Sequence, residues 1–192
     1  MKRAWLPVLV LALTAGQLLV ATVAPDLPQF EGKAFGARLV AYPLMMLVAP
    51  ALWWLANRRD RVADVPYTAF ALVMTPFLID VTGNTLDLYD SVVWWDDANH
   101  FVNWALLCSG LGLLLTARVS PHWAVVVLVT GIGALLAIGW ELGEWYTFIR
   151  HGTEIDTAYE DTLGDLALGT AGSLLAGFVV LRGRSRRLPA GP

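Results

Sequence analysis

The sequence predicts an all-α polytopic membrane protein, a bundle of six transmembrane helices, and three observations predict it. Of 192 residues, 57% are hydrophobic and 15% charged, where soluble domains carry about 25% charged residues. Six segments are mostly apolar over about 20 residues, the length that crosses a bilayer as a helix. Lysine and arginine gather in alternate connections, as they do where basic loops stay in the cytoplasm.

In chain order the expected spans cover residues 4–24, 37–56, 66–86, 98–117, 122–148 and 161–181. The first, MKRAWLPVLVLALTAGQLLVATVA, also has the layout of a secretory signal, but Pro25 directly after the would-be cut disfavours cleavage and the segment is read as retained. Prolines 7, 43, 50 and 76 fall within or near the ends of three spans, where membrane packing tolerates them better than water does. Nine tryptophans suit a chain with two lipid–water interfaces. No repeat, low-complexity tract or long linker divides the sequence. One membrane domain is therefore expected over 1–182, with a disordered cytoplasmic tail over 183–192. Cys108 stands alone in an apolar stretch and reads as a small core residue.

This layout puts ten of the 13 basic residues on one side, leaving only Lys33, Arg38 and Arg150 on the other. Both termini are then cytoplasmic. Of the 16 carboxylates, only Asp60 and Asp64 share that cytoplasmic side.

Near the outer ends of four spans lie polar residues three or four positions apart: Asp80, Asn84 and Asp87; Asp96, Asn99, His100 and Asn103; Glu141 and Glu144; Asp161 and Asp165. At 100° per residue each set falls on one helix face. On the last span Gly169 and Gly172 continue the stripe, and small residues let membrane helices approach closely, so this face points inward. Four polar faces are thus expected to meet at one depth. Each ionised group in hydrocarbon costs roughly 2.5 to 3.5 kcal/mol, so a chain carrying this many should use them.

Like charges held close cannot all stay ionised unless a cation joins them. Carboxylate oxygens with one imidazole suit a divalent ion such as Mg²⁺, Mn²⁺, Fe²⁺ or Zn²⁺. The expected ligands are Asp96, His100, Glu141, Glu144 and Asp165, with Asp80 or Asp161 as general base or outer support. Blander readings compete: Asp87, Asp90, Asp97, Glu154, Asp156 and Glu160 suit solvated loops, Asp161 suits a first helical turn, and His100 alone would suit a hydrogen-bonded core. Glu141 and Glu144 together weigh against them, since structure alone gives no reason to bury both.

These residues also carry a resemblance. Asp96, His100 and Phe101 resemble the aspartate, three residues, histidine-phenylalanine pattern of the YjdF-like bacterial inner-membrane proteins. Glu141-Leu-Gly-Glu144-Trp145 resembles their paired glutamates before tryptophan, and Asp161-Thr-Leu-Gly-Asp165 their aspartate-threonine, two residues, aspartate motif. Order and spacing agree over roughly residues 85–180, while EIDTAYE stands where that family has a glycine-rich segment. More distantly, the histidine and the aspartates opening the last span resemble VanZ-like membrane proteins. The resemblance implies an inner-membrane location and a shared polar site without naming a reaction.

Three functions follow as expectations. One is a metal-dependent hydrolase or transferase acting on a lipid or lipid-linked envelope substrate at the outer face. The second is a cation or proton transporter, disfavoured by apolar inner halves of the last three spans. The third is a non-catalytic scaffold. Membrane lipids are the expected partners; nucleic acid is excluded because the basic residues are few and not interleaved with aromatics.

Overall fold

The computed structural model describes residues 4–60, 64–117, 119–147, 149–151 and 153–185. Among them are seven α-helices, two 3-10 turns and no strand: α1 (Trp5–Val23), α2 (Phe35–Asn57), α3 (Tyr67–Thr85), α4 (Leu88–Ser91), α5 (Trp95–Leu115), α6 (Trp123–Thr147) and α7 (Ala158–Ser185). Five of them, α1, α2, α5, α6 and α7, are long and apolar enough to cross a membrane. The protein is a polytopic helical membrane protein. The sixth expected span, α3, has 19 residues but falls outside that set. Asp80 and Asn84 lower its apolarity, and nine of its residues are buried, so protein rather than lipid covers much of it.

The contacts gather into two compact units, Met1–Trp95 and Asp96–Pro192, each described by itself. In the first, α1 and α2 pack on α3, burying Leu18, Ala21, Met46, Phe70, Val73, Met74, Phe77 and Val81. Tyr42 meets Phe77 edge to face at 5.1 Å, and Gln17 Nε2 donates to Thr82 Oγ1 at 3.1 Å. The outward faces of α1 and α2 carry Val8, Leu19, Val40, Leu44 and Leu52, all exposed. Helices apolar on every side belong in lipid.

In the second unit α5, α6 and α7 share a core of Cys108, Val125, Val129, Ala176 and Val180. Glycines make it possible. A Cβ on Gly172 would strike the backbone carbonyl of Phe101, one on Gly133 would strike Ser173 and Cys108, and one on Gly169 would strike Trp104. Cys108 Sγ and Ser173 Oγ lie 3.3 Å apart in this seam, and the Ser173 hydroxyl also donates to the Gly169 carbonyl.

Helix ends depart from expectation by a few residues. α5 opens at Trp95, three residues early, with Asp96 and Asp97 in a first turn that favours acids. α7 opens at Ala158, because two 3-10 turns, Ile149–His151 and Thr153–Asp156, lead straight into it. It then runs on through Ser185, so residues 183–185 of the expected tail are helical, while 186–192 lie outside the described residues. Lys2, Arg3, Arg61 and Arg118 lie outside them too.

Aromatic side chains bracket the second unit. Trp123 opens α6 and Trp145 stands near its end, both exposed, about 33 Å apart along the axis at 1.5 Å per residue. That matches the roughly 30 Å hydrocarbon thickness, and tryptophan prefers its edges. Tyr146 and Tyr159 are exposed at the same end as Trp145.

Candidate metal centre

Three helices of the second unit converge on one imidazole. His100, one turn into α5, is buried; Glu141 of α6 is 6% exposed and Asp165 of α7 only 3%. His100 Nε2 lies 3.5 Å from Asp165 Oδ1 and 3.8 Å from Asp96 Oδ1, and Nδ1 lies 3.9 Å from Glu141 Oε1. The donors therefore sort into two groups that share the ring: Asp96, His100 and Asp165 on one side, His100, Glu141 and Glu144 on the other, each with ligand atoms within 4.8 Å of one another.

The surroundings fix this arrangement. Gly172 and Gly169 let α7 sit against Phe101 and Trp104 of α5, and Asp165 stands two turns above Gly172 on the same face. Buried Asn99 flanks His100 and accepts from Asn103 Nδ2 at 3.3 Å. The Thr162 side chain hydrogen-bonds the Glu141 carboxyl, and Asp96, Glu141, Asp161 and Glu144 all act electrostatically on Asp165. Along their helices, Glu141 lies about 6 Å below Trp145 and Asp165 about 9 Å below Tyr159.

The residue types and spacings fit a hard or borderline divalent ion. Metal bonds of 2.0–2.2 Å to nitrogen and oxygen place two donors roughly 3 to 3.5 Å apart, close to the 3.5 and 3.8 Å between His100 Nε2 and its aspartates. Glu141 Oε1 stands near the far ring nitrogen at 3.9 Å, longer than a hydrogen bond, on the side from which a carboxylate can orient a ligating histidine.

Of the two residues expected as bases, Asp161 is exposed in the first turn of α7, at the rim of the group. Asp80 belongs to the first unit, and both its oxygens are engaged there. Arg38 Nη1 donates to Oδ2 at 3.2 Å, the Tyr42 hydroxyl to Oδ2 at 2.8 Å and the Tyr89 hydroxyl to Oδ1 at 2.9 Å. Asn84, expected beside it as a polar lining residue, donates its amide to the Asp80 backbone carbonyl. α3 ends at Thr85, so Asp87 leaves that face and stands exposed at the residue before α4, with φ 58° and no side-chain cap bond. Asp90, Asp97, Asp156 and Glu160 are exposed as expected of solvated groups; the Glu154 side chain lies outside the described residues.

The Asp80 partners escaped sequence reading because they lie 42, 38 and 9 positions away. The unusual signals that could have found them were Arg38 in an apolar helix and tyrosines at 42 and 89. Thr162 was within reach of inference as the middle of Asp161-Thr-Leu-Gly-Asp165.

No curated protein and no solved structure matches the chain. A family described as "Predicted membrane protein (DUF2238)" matches residues 6–186, nearly the whole length and wider than the stretch that carried the YjdF-like resemblance. The match carries no link to VanZ-like proteins. The chain belongs to this YjdF-like family of membrane proteins, DUF2238.

Proposed function

We infer that the protein is a metal-dependent hydrolase or transferase of the bacterial inner membrane, acting on a lipid or lipid-linked envelope substrate at the outer face. The observation that carries this reading is the single buried imidazole of His100 with carboxylates from three helices at both of its nitrogens. Burying two acids, Glu141 and Asp165, beside one ring has no structural necessity, and ionisable groups inside a membrane default to function.

In this reading α3 is the sixth span, both termini are cytoplasmic, and the carboxylate end of the second unit opens outward. Asp96, His100 and Asp165 would hold a divalent ion, with Glu141 and Glu144 completing the set or lying beside the far ring nitrogen. When bound, such an ion polarises a carbonyl or phosphoryl oxygen and makes water acidic at neutral pH. Asp161, exposed at the rim, would serve as the general base there. Glu141 orients the ring, and Thr162 orients Glu141. Asp80 is assigned a structural part, because both its oxygens are taken up by an arginine and two tyrosine hydroxyls.

Transport is supported less well. Below the polar group the seam of α5, α6 and α7 closes on Cys108, Val125, Val129, Ala176 and Val180, all buried and none able to relay a cation.

Elemental analysis of the purified protein beside Glu141→Gln and His100→Ala tests the reading. Bound divalent metal in the wild type and its loss in both variants is expected; full occupancy in either variant would refute it.

A further inference from the structure

The second unit holds nine carboxylates, all toward one end, and a single basic residue at that end, Arg150. An arginine amid so many acids ordinarily pairs with one. Lys33 is paired with Asp90 and Arg38 with Asp80 in the first unit. Arg150 instead lies with its guanidinium carbon 3.7 Å from the centre of the Tyr146 ring. Among the described residues it makes no ion pair, and its Nε is enclosed with no hydrogen-bond partner. The ring holds one face of the guanidinium by cation–π attraction. The two Nη groups of a guanidinium form a planar fork that matches two phosphate oxygens.

Position narrows the ligand. Tyr146 is exposed one residue beyond Trp145, at the interfacial end of α6, and Arg150 follows in the turn Ile149–His151. Glu141 and Asp165 lie about 6 and 9 Å further along α6 and α7 from Trp145 and Tyr159. An anion approaching that end of the unit meets nine carboxyl groups and one guanidinium, so Arg150 is where its charge is accommodated. We propose that Arg150, braced on Tyr146, binds the phosphate of a membrane-embedded lipid presented to the His100 centre. The substrate class is thus a phosphate-bearing lipid, an inference that rests on the function proposed above.

The test uses full-length protein in a neutral detergent, with lipid retention counted by native mass spectrometry. The probes are dioleoyl phosphatidic acid, dioleoylglycerol with the same chains and no phosphate, and inorganic phosphate as competitor. The wild type is expected to retain phosphatidic acid at least about tenfold better than dioleoylglycerol, the worth of one charge-assisted contact. Arg150→Gln removes that preference, Arg150→Lys keeps part of it, Tyr146→Leu weakens it, and excess inorganic phosphate leaves the lipid bound. Equal retention of both lipids by the wild type, or unchanged preference in a monodisperse Arg150→Gln protein, would overturn the proposal. Displacement by inorganic phosphate would also overturn it, assigning the site to a soluble anion. Metal content of the same samples separates the two ideas: lost lipid preference with metal retained in the wild type sinks this one alone, and absence of metal from the wild type sinks the reading beneath it.

Discussion

Replacing Gly172 by alanine tests how helix spacing makes the centre. The new Cβ would overlap the Phe101 carbonyl oxygen and crowd the Ala105 amide, both backbone atoms that cannot rotate away. Carbon and oxygen come into ordinary contact at about 3.3 Å, so α5 and α7 must part by about 1 Å. Overpacking of this kind costs roughly 1 to 3 kcal/mol, a fall in melting temperature on the order of 5 °C for a chain of this size. The shift reaches the centre, since Phe101 adjoins His100 and Gly172 lies two turns below Asp165. The 3.5 Å gap from His100 Nε2 to Asp165 Oδ1 would widen by a similar amount, beyond what metal bonds held within about 0.2 Å of ideal tolerate. Thermal unfolding in detergent and metal titration read the two effects. Gly139→Ala is the control: nothing lies within 4 Å of its Cβ position, so it should be neutral or gain up to about 1 kcal/mol from helix propensity. If Gly172→Ala matched that control in melting temperature and metal affinity, the close approach would not be what assembles the site.

Two further outcomes follow from the separate fates of Asp80 and Asp161. Asp80→Asn removes the carboxylate paired with the Arg38 guanidinium, 19% exposed, and should cost about 3 kcal/mol in detergent unfolding while metal content stays that of the wild type. Asp161→Asn should retain metal and melting temperature but lose turnover of a phosphate-bearing lipid by about a hundredfold, the worth of a general base; full turnover would remove Asp161 from the chemistry.

The spans were legible because hydropathy is a local property: five helices carry it openly. α3 was harder, since a helix covered by α1 and α2 can hold Asp80 and Asn84 without lipid penalty. Helix ends such as Trp95 and Ala158 depend on the turns before them, which apolar windows do not see. The inward face of α7 was readable from Gly169 and Gly172, because glycine at helical spacing has few other uses in a membrane. The two-sided setting of His100 was not, since it depends on the rotation of three helices about their axes. Arg38 looked like an orientation marker by sequence, and only its nearness to Asp80 shows that it neutralises a carboxylate inside the first unit.

The account stands most directly on whether His100 touches a metal. Pulsed electron paramagnetic resonance of Mn²⁺ added to the purified protein reads nitrogen nuclei in the ion's first coordination sphere. Nitrogen modulation in the wild type, lost in His100→Gln, is the result the account predicts. Manganese bound without any nitrogen signal, or a signal that survives His100→Gln, would contradict it.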